Sequence, residues 1–411
     1  MTTLYNLAIG LYHFTAWLIS PFNKKAKSFT SGRRGWQKKL TEQIVPGTRY
    51  VWFHCASLGE FEQGRPVIEE FIAKYPNHKV AITFYSPSGY EIRKNYAHAS
   101  VVLYLPADTK RNAKQFLDIL NPELAFFIKY EFWHHFLSSL KHRSIPAYLI
   151  SGIFRPEQPF FTSKPWGSWF RSMLSCFDHI FVQDSISATL LNSAGFEDVT
   201  IAGDTRFDRV AAVAESSKPI EVVNKFAGQQ KILIAGSTWK EDEELITEYI
   251  LGHAKEKWII APHEVDKAHV ERLQHMLKNR AITLSAAEKD DPSDYQVLII
   301  DSIGKLSALY RYGRIAYIGG GFGAGIHNIL EAAAYGMPIL FGTNYGKFRE
   351  AKDLIKQGAA FSVANAYDLN QTLSHLLNQP TEIDSLSRIA QDYVTENRGA
   401  TQKILSQIIV Q

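Results

Sequence analysis

Cysteine is nearly absent from this 411-residue sequence, which carries only Cys55 and Cys176. Two cysteines build no disulfide framework and no zinc-ligand spacing, and both read as small buried hydrophobes in a reducing, cytoplasmic setting. Net charge is scarce too, at +4, so bulk electrostatics predict no polyanion and no nucleic-acid partner. No Asp-x-Asp pair occurs, and Arg206 between Asp204 and Asp208 would repel a cation, so no metal cofactor is expected. A secretory signal is also missing. The one long apolar stretch, residues 4–22, is followed rather than preceded by positive charge. No short-period repeat or low-complexity tract is present.

What is there is an ordinary globular composition, 45% hydrophobic and 21% charged, with 13% aromatics. The length exceeds what one core usually supports, so two domains are expected. Residues 4–22 are barely long enough to span a bilayer. Asn6, His13 and Ser20 recur every seven positions as a polar stripe, opposite Leu4, Leu7, Leu11, Phe14 and Leu18. That pattern predicts a helix in the membrane interface, with a helix docked on the protein's own surface as the alternative. Behind it lie Lys24, Lys25, Lys27, Arg33, Arg34, Lys38 and Lys39 with no acid among them, a cluster suited to anionic lipid headgroups.

From Arg49 onward, short apolar runs alternate with helical stretches. "YVWFHCA", "KVAITFY", "SVVLYLP", "LAFFIKY", "AYLIS", "HIFVQ" and "VTIAG" read as buried parallel strands. Residues 212–230 read as a polar linker. The alternation restarts with "KILIAG", "KWIIAP", "YQVLIID", "RIAYIGG" and "MPILFG". Two such series imply two doubly wound α/β domains with a cleft between them, and ligands at the carboxyl ends of the strands.

The unusual residues lie at those ends. Ser57-x-x-Glu60 after the first strand matches a helix capping box, with Pro66 as a possible first helical residue; equally, Glu60 is a carboxylate placed to take a proton from a hydroxyl. In "RIAYIGGGFGAGIHNILEAAAYGMPILFG" a strand, a glycine-rich loop and a helix start offer N–H groups and a dipole to a phosphate. The match to a dinucleotide fingerprint is superficial, because "PILFGTN" supplies no ribose-binding acid. Asn328 and Glu331 could share a helix face and bind a sugar hydroxyl pair. Thr238-x-x-Glu241 reads as another capping box. Pro262 and His263, and Ser302, Gly304 and Lys305, mark two more strand ends, and together these four ends point to a nucleotide site.

"ASLGE" (56–60), "HNILEAAAYGMPILFG" (327–342) and "DSIGKLSALYRYGRIAYIGGGFG" (301–323) resemble the 3-deoxy-D-manno-octulosonic acid (Kdo) transferases of lipopolysaccharide synthesis, and the likeness covers nearly the whole chain. The resemblance implies a two-domain GT-B fold and inverting transfer of Kdo from CMP-Kdo to a lipid A precursor. It implies Glu60 as general base, with Glu131 and Arg206 assisting the transition state. It places CMP on Pro262, His263, Ile303, Gly304, Lys305, Gly321, Phe322, Gly323, Asn328, Ile329, Leu330 and Glu331, with no metal. The implied layout is a membrane-associating helix and basic segment at 1–40, an acceptor domain at 41–211, and a CMP-sugar domain at 231–411 whose last helix packs back on the first domain. The implied location is the cytoplasmic face of the inner membrane, on anionic lipids. The chain departs from the family pattern with Lys129 at a usual acid, His134 at a usual proline, His263 at a usual arginine, Lys305 at a usual acid and Arg206 at a usual lysine. Ile326 stands where a second glycine is expected. Two competitors remain: a GT-B enzyme with another nucleotide sugar, and a non-catalytic membrane-bound glycolipid-binding protein.

Overall fold

The computed structural model describes residues 1–410. They form two compact units, one of Met1–Arg209 joined by the segment from Arg398 onward, the other of Val210–Asn397. In the first unit the strands are β1 (Arg49–Cys55), β2 (His78–Phe84), β3 (Val101–Tyr104), β4 (Pro122–Ile128), β5 (Ala147–Gly152), β6 (His179–Val182) and β7 (Val199–Ile201). They pair in the order 3-2-1-4-5-6-7, all parallel. The period of two in a strand sends Tyr50 and Trp52 into one core and Val51, Phe53 and Cys55 into the other. Both faces are covered, which is why the strands read as unbroken apolar runs.

The second unit repeats the design with β8 (Ile232–Thr238), β9 (Trp258–Pro262), β10 (Ala281–Thr283), β11 (Val297–Ile299), β12 (Gly313–Ile318), β13 (Ile339–Phe341) and β14 (Ala360–Ser362), in the order 10-11-9-8-12-13-14. Strands β10 and β14 carry no run legible in the sequence. Each is three residues long and closes an outer edge of the sheet. Residues 212–230, which read as linker, hold the end of the helix Thr205–Ser216 and all of Glu221–Ala227. Within the first unit, Asp208 accepts hydrogen bonds from the Gly399 and Thr401 N–H groups at 2.6 and 2.7 Å, fixing the start of the C-terminal helix Ala400–Ser406.

The N-terminal expectation needs correction. Residues Thr2–Ile19 are helical, but no helix among the described residues is long and apolar enough to cross a membrane. The reading of an apolar helix holding the chain on the inner membrane is therefore not upheld. The polar side chains of this helix bind its own unit rather than headgroups. The Tyr5 hydroxyl donates to Asp108 at 2.5 Å, Asn6 meets His135 Nε2 at 2.6 Å, and Trp169 donates to Thr2 at 3.1 Å. His13 packs on Phe29, ring centroids 5.2 Å apart, and burial first, then Arg33, lowers its pKa to about 4. Leu4, Leu7, Leu11 and Phe14 remain exposed. The basic cluster is not uniform either. Arg33 is 8% exposed and donates to the carbonyls of Leu105, Phe29 and Tyr85.

Candidate active site

The strand order reverses between β1 and β4 in the first sheet and between β8 and β12 in the second, where β11 is also inserted between β9 and β10. Crevices at the carboxyl ends of such strands are where open α/β sheets bind ligands. Glu60 follows β1 and Glu131 follows β4; Trp239 follows β8 and the glycine loop follows β12.

Glu60 stands in the first turn of the helix Leu58–Lys74 and is half-buried. The capping box is not formed, because the Ser57 side chain makes no cap bond to the backbone. Its hydroxyl donates instead to the Glu60 carboxylate. Pro66 lies inside this helix rather than at its start. A true Ser cap contributes about 1 kcal/mol; Ser57→Ala is therefore expected to shift denaturant stability by less than about half that figure, and a full cap-sized loss would restore the capping reading.

Glu131 is reached through Lys129, a non-glycine residue at φ 69° that turns the chain at the end of β4. Glu131 is 8% exposed, and its carboxylate is held through Oε2 by His54 Nε2 at 2.8 Å and the Trp133 indole N–H at 2.7 Å. His54 is fully buried on β1, its Nδ1 2.8 Å from the Thr83 hydroxyl, which also accepts from Trp52 Nε1 at 2.8 Å. Arg206 is oriented by buried Asp204, which accepts from its Nε at 2.8 Å and its backbone N–H at 2.9 Å. Gln63, one turn after Glu60 on the same helix, donates to Asp204 at 3.4 Å. His134 instead packs against Trp169, centroids 5.0 Å apart, and burial with His135 lowers its pKa.

In the second unit the glycine loop is closed by its own hydrogen bonds. Gly323 and Gly325 donate to the Gly320 carbonyl, His327 to Gly319, and Asn344 to Gly321. The Gly320 N–H donates to Asp242, which also accepts from Trp239 N at 2.9 Å and from the Tyr317 hydroxyl. Burial raises the Asp242 pKa against those bonds. Asp242 thus caps the helix Lys240–Gly252, one residue on from the expected Thr238/Glu241 box. Much of the loop's N–H supply is therefore spent internally, and the helix behind it, Leu330–Ala334, is one short turn. Glycine at 321 has a steric reason. A Cβ there would sit 2.5 Å from Gly342 N.

Asn328 and Glu331 do come together, with Asn328 Nδ2 3.3 Å from Glu331 Oε1 and the Ser307 hydroxyl 2.5 Å from Oε2. Ser307 follows the Ile303-Gly304-Lys305 turn, so this turn and the acid–amide pair are neighbours. Ile303 and Gly304 are exposed, and Gly304 takes φ +87°. Lys305 lies 3.9 Å from Glu288. Ile329 and Leu330 are fully buried, so their side chains belong to the core, and half-buried Phe322 packs on the core as well. His263, after Pro262 at the end of β9, stacks between Trp239 and His327 with centroids 4.6 and 4.4 Å apart. Trp239 donates to His327 Nε2 at 3.0 Å.

Burial first, and His263 second, push His327 down to about 4. An unfolded histidine titrates near about 6.5, so between those values the unfolded chain binds more protons. Stability of this unit is retained above about pH 6.5 and falls as pH drops toward 4. His327→Asn is expected to make that acid-side fall in melting temperature shallower; an unchanged slope would remove His327 from the account.

Glu264, Asp266 and His269 bring one possible metal-ligand atom each within 4.8 Å of one another, a grouping the sequence did not show. Asp266 is already the cap of its helix and His269 bonds Glu243 at 2.7 Å. His54, Trp133, Asp204, Trp239, Asp242 and Ser307 were also missed. The legible signal for His54 was a polar residue inside an apolar strand, which requires a partner.

Two parallel, doubly wound seven-stranded sheets are the architecture of the GT-B fold. Solved structures agree on the fold. A UDP-GlcNAc 2-epimerase from Neisseria meningitidis, bound to UDP-GlcNAc, matches with TM-score 0.62 at 15% identity over 87% of this chain and 98% of that one. A glycosyltransferase from Rickettsia africae ESF-5 matches with TM-score 0.52 at 11% identity over 88% and 97%. Residues 30–209 match the family model for 3-deoxy-D-manno-octulosonic-acid transferase (kdotransferase). The 3-deoxy-D-manno-octulosonic acid transferase of Rickettsia felis is 26% identical over 403 residues, 94% of this chain and 84% of the relative. That of Haemophilus influenzae is 24% identical over 88% and 86%.

Proposed function

We propose that this protein is an inverting transferase that moves Kdo from CMP-Kdo to a lipid A precursor in lipopolysaccharide synthesis. The observation that carries the reading is Glu60. It is a half-buried carboxylate after β1, at the switch point, which accepts a hydrogen bond from the Ser57 hydroxyl and does not close the expected capping box. In the proposed step an acceptor hydroxyl gives its proton to Glu60 as its oxygen bonds to the anomeric carbon of Kdo. The bond from that carbon to the phosphate oxygen breaks, and CMP leaves with the electron pair. Arg206, held by Asp204, and Glu131 serve the developing charges. No metal enters this reaction. His263, the Ile303-Gly304-Lys305 turn, the Gly321-Phe322-Gly323 loop and the Asn328/Glu331 pair would bind CMP, Ile329 and Leu330 contributing backbone only.

An amphiphilic acceptor has support in the first unit. An apolar groove of about 580 Å³, lined by Tyr5, Ile9, Tyr130, Trp133, Phe160 and Trp169, begins at the Trp133 that bonds Glu131, and its volume suits a ligand site.

The test is CMP release with a mass shift of the lipid, using purified protein, CMP-Kdo and lipid A precursor. The mass gain counts the sugars added. The likeness to a UDP-sugar epimerase keeps a second donor in view. CMP is expected to raise the melting temperature of the protein and UDP to leave it unchanged; the reverse would favour a UDP-sugar enzyme.

A further inference from the structure

We propose that His54 is a positioning residue, which with Trp133 fixes the Glu131 carboxylate by one oxygen and leaves the other for the reacting groups. This rests on the reading of Glu131 as a transition-state group. A carboxylate only accepts hydrogen bonds, so His54 Nε2, 2.8 Å from Glu131 Oε2, must carry a hydrogen. Thr83 accepts from Trp52 and can turn its own hydroxyl toward His54 Nδ1. That lets Nδ1 accept and keeps the hydrogen at Nε2, as other oriented histidines are set by the bond at their second nitrogen.

The indole nitrogen of Trp133 lies 2.9 Å from His54 Nε2 and 2.7 Å from Glu131 Oε2. The indole N–H is in reach of both acceptors, but a His54 Nε2 that carries a hydrogen cannot accept, so the indole donates to the carboxylate and both donors converge on Oε2. Trp133 is itself seated by stacking on Tyr85, centroids 4.5 Å apart, and His54 has no exposure at all. The arrangement is rigid at its base, on β1 and β2, while Glu131 sits beyond the end of β4 after a left-handed residue. A carboxylate on such a turn needs an external hold to keep one orientation. Misplacing a reacting group by about 1 Å can cost about 10²-fold in rate.

The experiment compares kcat and KM for wild type, His54→Gln, His54→Phe, Trp133→Phe, Glu131→Gln and the double variant His54→Phe/Glu131→Gln. His54→Phe is expected to lower kcat by about 10- to 100-fold with KM changed little, and His54→Gln, which keeps an N–H near the carboxylate, to recover most of it. In the Glu131→Gln background the His54 change is expected to cost almost nothing further. Equal losses in both backgrounds would overturn the proposal. So would a rise in KM alone, or a Gln variant no better than Phe.

Should His54→Phe fail to fold, Trp133→Phe and His54→Gln carry the same comparison. A readout independent of activity is ¹⁵N NMR of histidine-labelled protein. An Nε2–H tautomer at His54, with a shift that moves in Glu131→Gln, supports the assignment; an Nδ1–H tautomer overturns it. An inactive wild type with this NMR signature would sink the Kdo reading and the catalytic part of the proposal, while the His54–Glu131 bond would stand.

Discussion

Glu60→Gln is expected to fold and bind nucleotide as wild type does, and to lose Kdo transfer by about 10²- to 10⁴-fold, the range for removal of a general base. The substitution is nearly isosteric. Its amide oxygen can still accept the Ser57 hydroxyl, so the local geometry survives the loss of charge. Its cost in stability is small, since an acid in the first helical turn contributes only about 0.3–1 kcal/mol through the helix dipole. The combination of preserved melting temperature, preserved CMP binding and lost turnover separates a base from a cap. A variant that transfers Kdo normally but melts earlier would return Glu60 to a structural role, and Glu131 would be the next carboxylate to test.

That contrast shows where the sequence could be read and where it could not. The position of Glu60 was legible, because an apolar run ending in small residues and an acid marks a strand end. Its role was not, since Ser-x-x-Glu spacing serves a cap and a base equally. The direction of the Ser57 hydroxyl removes the capping box and leaves the base to be tested by turnover. The two sheets were legible for the same reason as the strand end, as strands covered on both faces have no polar alternation to obscure them. Strands β10 and β14 were not, since each is three residues long and offers only two apolar side chains, Ala281 and Ile282 in one and Ala360 and Phe361 in the other, too few to read as a run.

In the glycine loop the residue types were legible and their use was not. Gly321 is small because Gly342 crosses against it, and several N–H groups read as phosphate ligands close the loop on itself. The Asn328/Glu331 spacing placed two side chains correctly, but extending the ligand set to Ile329 and Leu330 ran into the core. A list of consecutive residues takes no account of which side each faces.

The charge run at Asn23–Leu40 gives the second large prediction, because it looked uniform and is not. Lys24, Lys25, Lys27, Arg34 and Lys38 are exposed, whereas Arg33 is buried. Its guanidinium lies 3.7 Å from the Phe29 ring centroid, 4.8 Å from that of Tyr85 and 5.0 Å from that of Tyr104. Burial lowers its pKa to about 10, with the neighbouring tyrosines opposing the shift, so it stays charged at neutral pH.

Two effects compete in Arg33→Met. Relief of the buried charge favours the variant by about 3 kcal/mol, judged from the size of that shift. Against it, three carbonyls lose their donor at about 1–3 kcal/mol each, and the ring contacts lose about 1–2 kcal/mol more. The second effect wins, and a net loss of about 3 kcal/mol is expected. For a unit of this size that is about 6–12 °C in melting temperature. Arg33→Lys should fall between, because a lysine keeps the charge but cannot serve three carbonyls with a planar fork. An Arg33→Met variant with an unchanged melting temperature would mean that the carbonyls find water, and that the residue belongs with its exposed neighbours. The expected loss reaches past stability. Arg33 seats Tyr85, Tyr85 stacks on Trp133, and Trp133 bonds Glu131. A folded Arg33 variant should therefore show part of the kcat loss expected of Trp133→Phe.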